Sequence, residues 1–327
     1  MHSMRQRSQQ RPLTIQFWGT QGVFSTEVFR LLSAVMAVHA VIVPALPGQK
    51  NPVAELRPTS PVAPMPSVGA VASAVNSTPV HLAWQQAFAV YGVHSLRATA
   101  VESLLQTLQP DIVCVACFPW RIPARLLRIP TYGFVNLHPA LLPNYRGPAP
   151  LFWQLRDGLV HSGVTLHCMA DTFDSGAMIA QQPLHLIEGA DGPTHDQHYA
   201  TVAAALLIDF LAALAAERSL ESTPQSAGGS AQSWPHAADF TIDRRWSARH
   251  AYNFMRGTAE WQQPYSVLVN DRPYTLTAAL GYSATATLPH ALVEEGNELA
   301  IQFQPGVLYA THAGNPRISL DPITLYA

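Results

Sequence analysis

The stretch that most constrains this chain is GFVNLHPALLPNYRG, at residues 133–147. Its apolar and β-branched opening predicts a short buried strand. Pro139 has no N–H to donate to a neighbouring strand, so the strand should end just after His138. Asn136 and His138 are two positions apart, and side chains alternate along a strand, so both should project from one face.

The carboxyl end of a strand in an open parallel α/β sheet is where such sheets bind ligands. Two interpretations of Asn136 and His138 follow from this fragment alone. They are either core residues whose hydrogen bonds are satisfied, or members of a site. The sequence beyond the strand favours the second interpretation.

A turn-rich loop follows the strand, then a second predicted strand at Gly163–Met169 and the segment Asp171–Gly176. The combined pattern is N-x-H-x-x-L-L-P-x-x-R-G-x-x-P, followed by G-V-T and D-S-G. It resembles the signature of the 10-formyltetrahydrofolate-dependent formyltransferases. The methionyl-tRNA formyltransferases are the nearest members by overall layout.

The resemblance implies an α/β fold, with a Rossmann-like parallel-sheet formyltransferase domain followed by a small OB-like β-barrel C-terminal domain. The 327 residues are enough for two domains. We predict a disordered tail at 1–11, a catalytic domain at 12–218, a Ser-, Gly- and Pro-rich linker at 219–238, and the C-terminal domain at 239–327. The Pro- and Ala-rich stretch 44–80 should be an irregular connection, and Asp243–Gly257 a helix.

The resemblance assigns catalytic roles to three positions, Asn136, His138 and Asp174. In formyl transfer an amine attacks the formyl carbon, so an oxyanion must be held and a proton moved. The Asn136 amide is suited to the oxyanion, and the His138 imidazole to either task because its ordinary pKa lies near ~6.5. Asp174 would orient the imidazole and favour its protonated form. Neither a nucleophilic side chain nor a metal is needed.

The resemblance also implies which residues bind the folate donor, 10-formyltetrahydrofolate. The candidates are Cys117, Phe118, Trp120, Leu141, Leu142, Pro143, Arg146 and Asp171. Phe118 and Trp120 are equally well explained as hydrophobic anchors of their loop. Arg146 either binds an anion or ties down its loop through backbone carbonyls.

The net charge and the positions of the basic residues help to decide between a tRNA and a small amine as the acceptor. Net charge is −2, so the chain has no overall basic field for a polyanion. Methionyl-tRNA formyltransferases carry a basic loop in the region of 44–80, where this chain has only Lys50 and Arg57. Four arginines at 244, 245, 249 and 256 form either a modest basic face or a solvated one. The acceptor therefore stays open between initiator methionyl-tRNA and an amino-sugar nucleotide or other small amine.

Two further alternatives for the function are a formyltetrahydrofolate hydrolase and a non-catalytic folate-binding module.

Cys114, Cys117 and Cys168 suggest a reducing compartment rather than disulfides. The apolar run Leu31–Leu46 is shorter than the ~20 residues of a membrane span, so we expect a cytoplasmic protein. His195 and His198 have the spacing of metal ligands, but a solvated first helical turn explains them better.

Overall fold

The computed structural model describes residues 11–58, 78–218 and 221–313. Its helices are α1 (Val23–Ser33), α2 (Pro79–Gln85), α3 (Thr99–Leu108), α4 (Ala124–Leu127), α5 (Pro150–Arg156), α6 (Gly192–Ala215) and α7 (Ala248–Gly257). Its first eight strands are β1 (Ile15–Gly19), β2 (Ala40–Pro44), β3 (Val53–Glu55), β4 (Ala89–Val93), β5 (Ile112–Ala116), β6 (Phe134–His138), β7 (His161–Cys168) and β8 (Met178–His185). The last six are β9 (Thr241–Ile242), β10 (Tyr265–Val269), β11 (Arg272–Ser283), β12 (Leu292–Glu295), β13 (Glu298–Gln302) and β14 (Val307–His312).

Contacts divide the chain into two compact units that interleave in sequence. The first comprises Met1–His138, Val164–Gln182 and Ala200–Gly228, and the second comprises Pro139–Gly163, Pro183–Tyr199 and Gly229–Ala327. This division differs from the consecutive domains predicted at 12–218 and 239–327, whose boundaries stay a prediction. The tail predicted at 1–11 lies outside the described residues except for Arg11.

The larger sheet has eight strands in the order β3-β4-β2-β1-β5-β6-β7-β8. The central strands β4, β2, β1, β5 and β6 run parallel, whereas β3 and β7 pair antiparallel with β4 and β6. β1 and β5 are buried along their whole length, as expected for strands of a parallel sheet covered on both faces; β5 is apolar throughout, and β1 is apolar except for the buried Gln16.

The smaller sheet lies in the second unit, with the strand order β12-β13-β14-β11-β10-β9. Its neighbours are antiparallel except for the parallel pair β9 and β10. Helix α7 packs against a core that contains the buried rings of Phe152, Phe240, Phe254 and Tyr265. The expected fold class, an α/β domain with a parallel sheet and a separate C-terminal β domain, is confirmed.

Two predicted elements were wrong. In its described part the connection 44–80 is not wholly irregular, because β3 adds an edge strand there through antiparallel pairing with β4; residues 59–77 of the predicted connection lie outside the described residues. The helix predicted from Asp243 begins at Ala248 instead. The Asp243 carboxylate accepts the Arg245 N–H at 2.8 Å, which makes a local turn, and the Ser247 hydroxyl caps the helix by accepting the His250 N–H at 3.1 Å.

The predicted linker at 219–238 makes specific contacts over its described residues. Thr223 forms an isolated bridge with Met178, and Ala231 forms one with Arg146. Each bridge joins residues of a single unit. Whether this stretch serves as a domain linker stays a prediction.

Helix α6 is long and apolar enough to cross a membrane by length and composition alone. The core helix of a soluble protein passes the same test. Ala203, Leu207 and Leu211 recur on one face of α6 and are completely buried, as a core helix requires.

The solvated first turn predicted for α6 was wrong at His195, which is 1% exposed. Its Nδ1 is buried with no hydrogen-bond partner. Burial disfavours the charged ring and lowers the pKa of His195 to about 4, below the ordinary value of 6.5.

The lowered pKa of His195 predicts that the folded protein loses stability in acid. Between pH 6.5 and about 4 the unfolded chain protonates His195 while the folded chain keeps it neutral, so stability is full above this window and falls within it. The loss should reach at most about 3 kcal/mol. Urea unfolding across this pH range measures it. The His195→Leu variant should lose less stability than wild type, and a control variant at the exposed His290, His290→Leu, should follow wild type. Identical pH slopes for His195→Leu and wild type would refute the assignment.

Candidate active site

The residues expected to be catalytic all lie in the first unit, at the carboxyl end of β6. His138 is 4% exposed and Asn136 is half-buried. The antiparallel pairing of β6 with β7 sets Asn136 opposite His167 and His138 opposite Thr165. The site therefore forms where the parallel part of the sheet meets its antiparallel edge.

Asp174 lies in the loop between β7 and β8, in a left-handed backbone conformation with φ of 51°. The Gln225 side chain holds this loop by donating to the carbonyls of Asp174 at 2.6 Å and Gly176 at 2.8 Å. A Cβ at Gly176 would lie 1.8 Å from the Cys168 carbonyl oxygen, so only glycine fits there. The D-S-G pattern thus has a structural explanation: it lets the loop turn back against β7.

The folded loop brings Asp174 to both residues of β6. Its Oδ2 lies 3.7 Å from His138 Nδ1, an ion-pair distance longer than a hydrogen bond. Its Oδ1 lies 3.4 Å from Asn136 Nδ2. The Asp174 side chain is only 11% exposed. An amide, an imidazole and a carboxylate thus meet in a largely buried setting, where electrostatic interactions are stronger than in water.

A second histidine, His167, lies beside these three residues although the sequence signature did not include it, and it is 1% exposed. Its Nδ1 lies 2.8 Å from the Cys168 carbonyl oxygen, and its Nε2 lies 3.1 Å from Asn136 Nδ2 and 3.6 Å from Asp174 Oδ1. His167 lies in β7, the strand that contains the G-V-T pattern, two residues after Thr165. Its alternation with Thr165 was the available signal, and its pairing with Asn136 across the strands was not visible in one sequence.

Four of the candidate donor-binding residues lie in the first unit. Cys117 follows β5, is exposed and has a φ of 56°. Phe118 packs with its ring centroid 5.1 Å from that of Trp18 and 5.5 Å from that of Trp120, so both rings anchor their loop to the core. The exposed Asp171 accepts a hydrogen bond from Arg121 through its backbone carbonyl. These contacts favour the anchoring interpretation for Phe118 and Trp120.

The other four, Leu141, Leu142, Pro143 and Arg146, belong to the second unit. The Arg146 N–H donates to the Ser230 carbonyl at 3.0 Å, and the Arg146 carbonyl accepts from the Gln232 N–H at 2.8 Å. A Cβ at Gly229 would lie 2.1 Å from the Pro143 carbonyl oxygen. The loop is thus held by backbone contacts to residues 229–232. Donor binding by these residues stays a prediction.

The described ranges contain no group of three or more histidine, cysteine or acidic residues able to hold a metal ion. No disulfide joins the cysteines of the described ranges. Cys114 is buried in β5, and burial raises the pKa of its thiol.

Comparisons with known proteins connect this geometry to a family. The sequence matches the formyl transferase family over residues 64–211. The methionyl-tRNA formyltransferase of Moorella thermoacetica is 32% identical over 225 residues, which cover 68% of this chain and 72% of that protein. The chain belongs to the formyl transferase family. The methionyl-tRNA formyltransferase of Thermodesulfovibrio yellowstonii is 30% identical over 206 residues, and the aligned part covers 62% of this chain and 65% of that protein.

Solved structures of formyltransferases have the same fold. An N-formyltransferase from Helicobacter canadensis, solved with folinic acid and dTDP-3-aminofucose, aligns with a TM-score of 0.61. The alignment covers 92% of this chain and 99% of that chain at 15% identity. A sugar 3N-formyltransferase named WlaRD aligns with a TM-score of 0.62 at 14% identity. At these identities the likeness concerns the fold alone.

Proposed function

We propose that this formyltransferase moves the formyl group of 10-formyltetrahydrofolate to an acceptor amine, with initiator methionyl-tRNA as the leading acceptor. The observation that carries the proposal is the meeting of Asn136, His138 and Asp174 within 3.7 Å at the end of β6. The relatives named methionyl-tRNA formyltransferase support the acceptor.

In the proposed reaction the uncharged acceptor amine attacks the formyl carbon, and the formyl oxygen becomes an oxyanion. Asn136 donates an amide hydrogen to that oxygen, and His138 donates to it or carries the amine's proton to the departing folate nitrogen. Asp174 faces His138 Nδ1 and favours the imidazolium that forms. The products are the formylated amine and tetrahydrofolate, so the protons and electrons balance without a metal or a covalent enzyme intermediate.

A second acceptor class is a small amine such as an amino-sugar nucleotide. It is favoured because several arginines already pair with carboxylates or backbone carbonyls of this chain. Arg57 pairs with Glu55 at 2.9 Å, Arg245 with Asp243 at 2.5 Å and Arg249 with Glu188 at 2.9 Å. Arg244 and Arg256 donate to the backbone carbonyls of Gln302 and Gly189. A cation already paired with a carboxylate has less to gain from a phosphate.

These pairs predict a shallow salt dependence. If about two phosphates are neutralised, kcat/KM on initiator methionyl-tRNA should fall no more than about 15-fold between 50 and 200 mM salt. Steady-state kinetics over this range measure the slope, with an amino-sugar nucleotide as the matched acceptor. A fall of about 10³-fold or more would mean six to ten phosphate contacts and would overturn the prediction.

The same kinetic assay, together with a measurement of folate binding, separates the remaining alternatives, a hydrolase and a non-catalytic folate-binding module. Loss of the formyl group without an acceptor would indicate a hydrolase, and folate binding without turnover would indicate a binding module. We propose a cytoplasmic location, because the donor and both acceptor classes are found there.

A further inference from the structure

We propose that His167 is a positioning residue that fixes the orientation of the Asn136 amide for catalysis. The inference rests on the proposed function and assigns a role to a residue that the catalytic mechanism above does not use. It follows from the hydrogen bonds of one buried imidazole, all within the first unit.

The tautomer of His167 is set by its own strand. Its Nδ1 lies 2.8 Å from the Cys168 carbonyl oxygen, which only accepts hydrogen bonds, so Nδ1 carries a hydrogen. In the neutral ring Nε2 is then an acceptor. The group 3.1 Å from Nε2 is the Asn136 amide nitrogen, which only donates. The neutral Nδ1–H tautomer therefore satisfies both contacts.

This contact holds one end of the Asn136 amide. Asn136 Nδ2 lies 3.1 Å from His167 Nε2 and 3.4 Å from Asp174 Oδ1, and these two acceptor atoms lie 3.6 Å apart. The directions to the two acceptors therefore differ by roughly 70° at the amide nitrogen, whereas the two N–H bonds of a planar amide diverge by about 120°. One N–H therefore serves His167 and, weakly, Asp174. The second N–H diverges from both, and in the proposed reaction it is the one that donates to the formyl oxygen.

Rotating the amide by half a turn would place its oxygen against two acceptors, His167 Nε2 and Asp174 Oδ1. Both contacts would become repulsive, so His167 and Asp174 together exclude that orientation. Without His167 only the 3.4 Å contact to Asp174 opposes the rotation. The amide oxygen would then face the developing oxyanion for part of the time and lower kcat.

Two substitutions of His167 by amide residues test its two ring nitrogens separately, the acceptor Nε2 and the donor Nδ1. In His167→Gln the side-chain oxygen reaches the place of Nε2 and keeps an acceptor for Asn136. In His167→Asn the side chain reaches only the place of Nδ1 and keeps the donor to the Cys168 carbonyl. We expect His167→Gln to keep kcat within about threefold of wild type and His167→Asn to lose about 10–100-fold, with the KM for the folate donor unchanged.

NMR gives a readout independent of turnover. The side-chain ¹⁵NH₂ signal of Asn136, assigned by its loss in Asn136→Ala, should shift in His167→Asn and stay in place in His167→Gln. Equal kcat values for the two variants, or an Asn136 signal that moves equally in both, would overturn the inference. If Asn136→Ala and His138→Ala also left turnover intact, the proposed function itself would fail. Loss of activity in those two variants with no effect in His167→Asn would refute the role of His167 alone.

Discussion

Replacing His138 with alanine should lower kcat for formyl transfer by about 10²–10⁴-fold, the range of general acid–base catalysis by a positioned side chain. The imidazole is 4% exposed, and its Nδ1 faces the Asp174 carboxylate at 3.7 Å. Water does not easily replace a proton carrier at such a buried position. Single-turnover kinetics with 10-formyltetrahydrofolate measure the effect on the chemical step.

The matched control is His161→Ala, which removes an exposed imidazole from β7 that lies beside His185. This control should keep wild-type kcat. Donor affinity should change by less than about threefold in His138→Ala, because the proposed role is in the transition state. A kcat within threefold of wild type would remove His138 from the mechanism.

Replacing Phe254 with alanine should destabilise the protein by about 3–5 kcal/mol. Phe254 is completely buried on α7, with ring centroids 5.5 Å from Phe152 and 5.7 Å from both Trp246 and Tyr265. The neighbouring rings belong to the same packed core, so they can fill the space left by the Phe254 ring only in part. Urea unfolding followed by tryptophan fluorescence measures the change.

The control for this variant is Leu268→Ala in the same unit. Leu268 is 59% exposed on β10 and should cost less than about 0.5 kcal/mol. A Phe254→Ala variant as stable as Leu268→Ala would contradict the aromatic core described for the second unit.

Local pattern was enough to predict many of the elements. Strand β6 ends at His138 as predicted, because apolar alternation and the following Pro139 act within a few residues. Strand β3 was missed because it has only three residues and depends on pairing with β4, a contact that no local pattern encodes. The start of α7 was wrong because the Asp243 side chain makes a turn with Arg245 before the Ser247 cap.

In the candidate site, too, contacts that depend on strand pairing could not be predicted from the sequence. The signature predicted that Asn136, His138 and Asp174 would be near one another, and the structure brings them together. It did not reveal His167, whose relation to Asn136 arises from the antiparallel register of β6 and β7. Nor did the basic residue count reveal that Arg57, Arg245 and Arg249 are paired with carboxylates.

The most direct test of the account follows the formyl carbon itself. Donor labelled with ¹³C in the formyl group is incubated with wild type or with the variant in which Asn136, His138 and Asp174 are all alanine, in the presence of initiator methionyl-tRNA and an amino-sugar nucleotide. We expect wild type to move the label to one of these amines and the triple variant to leave it on the folate. Label that leaves the donor equally fast with both proteins would contradict the assignment of the reaction to this site.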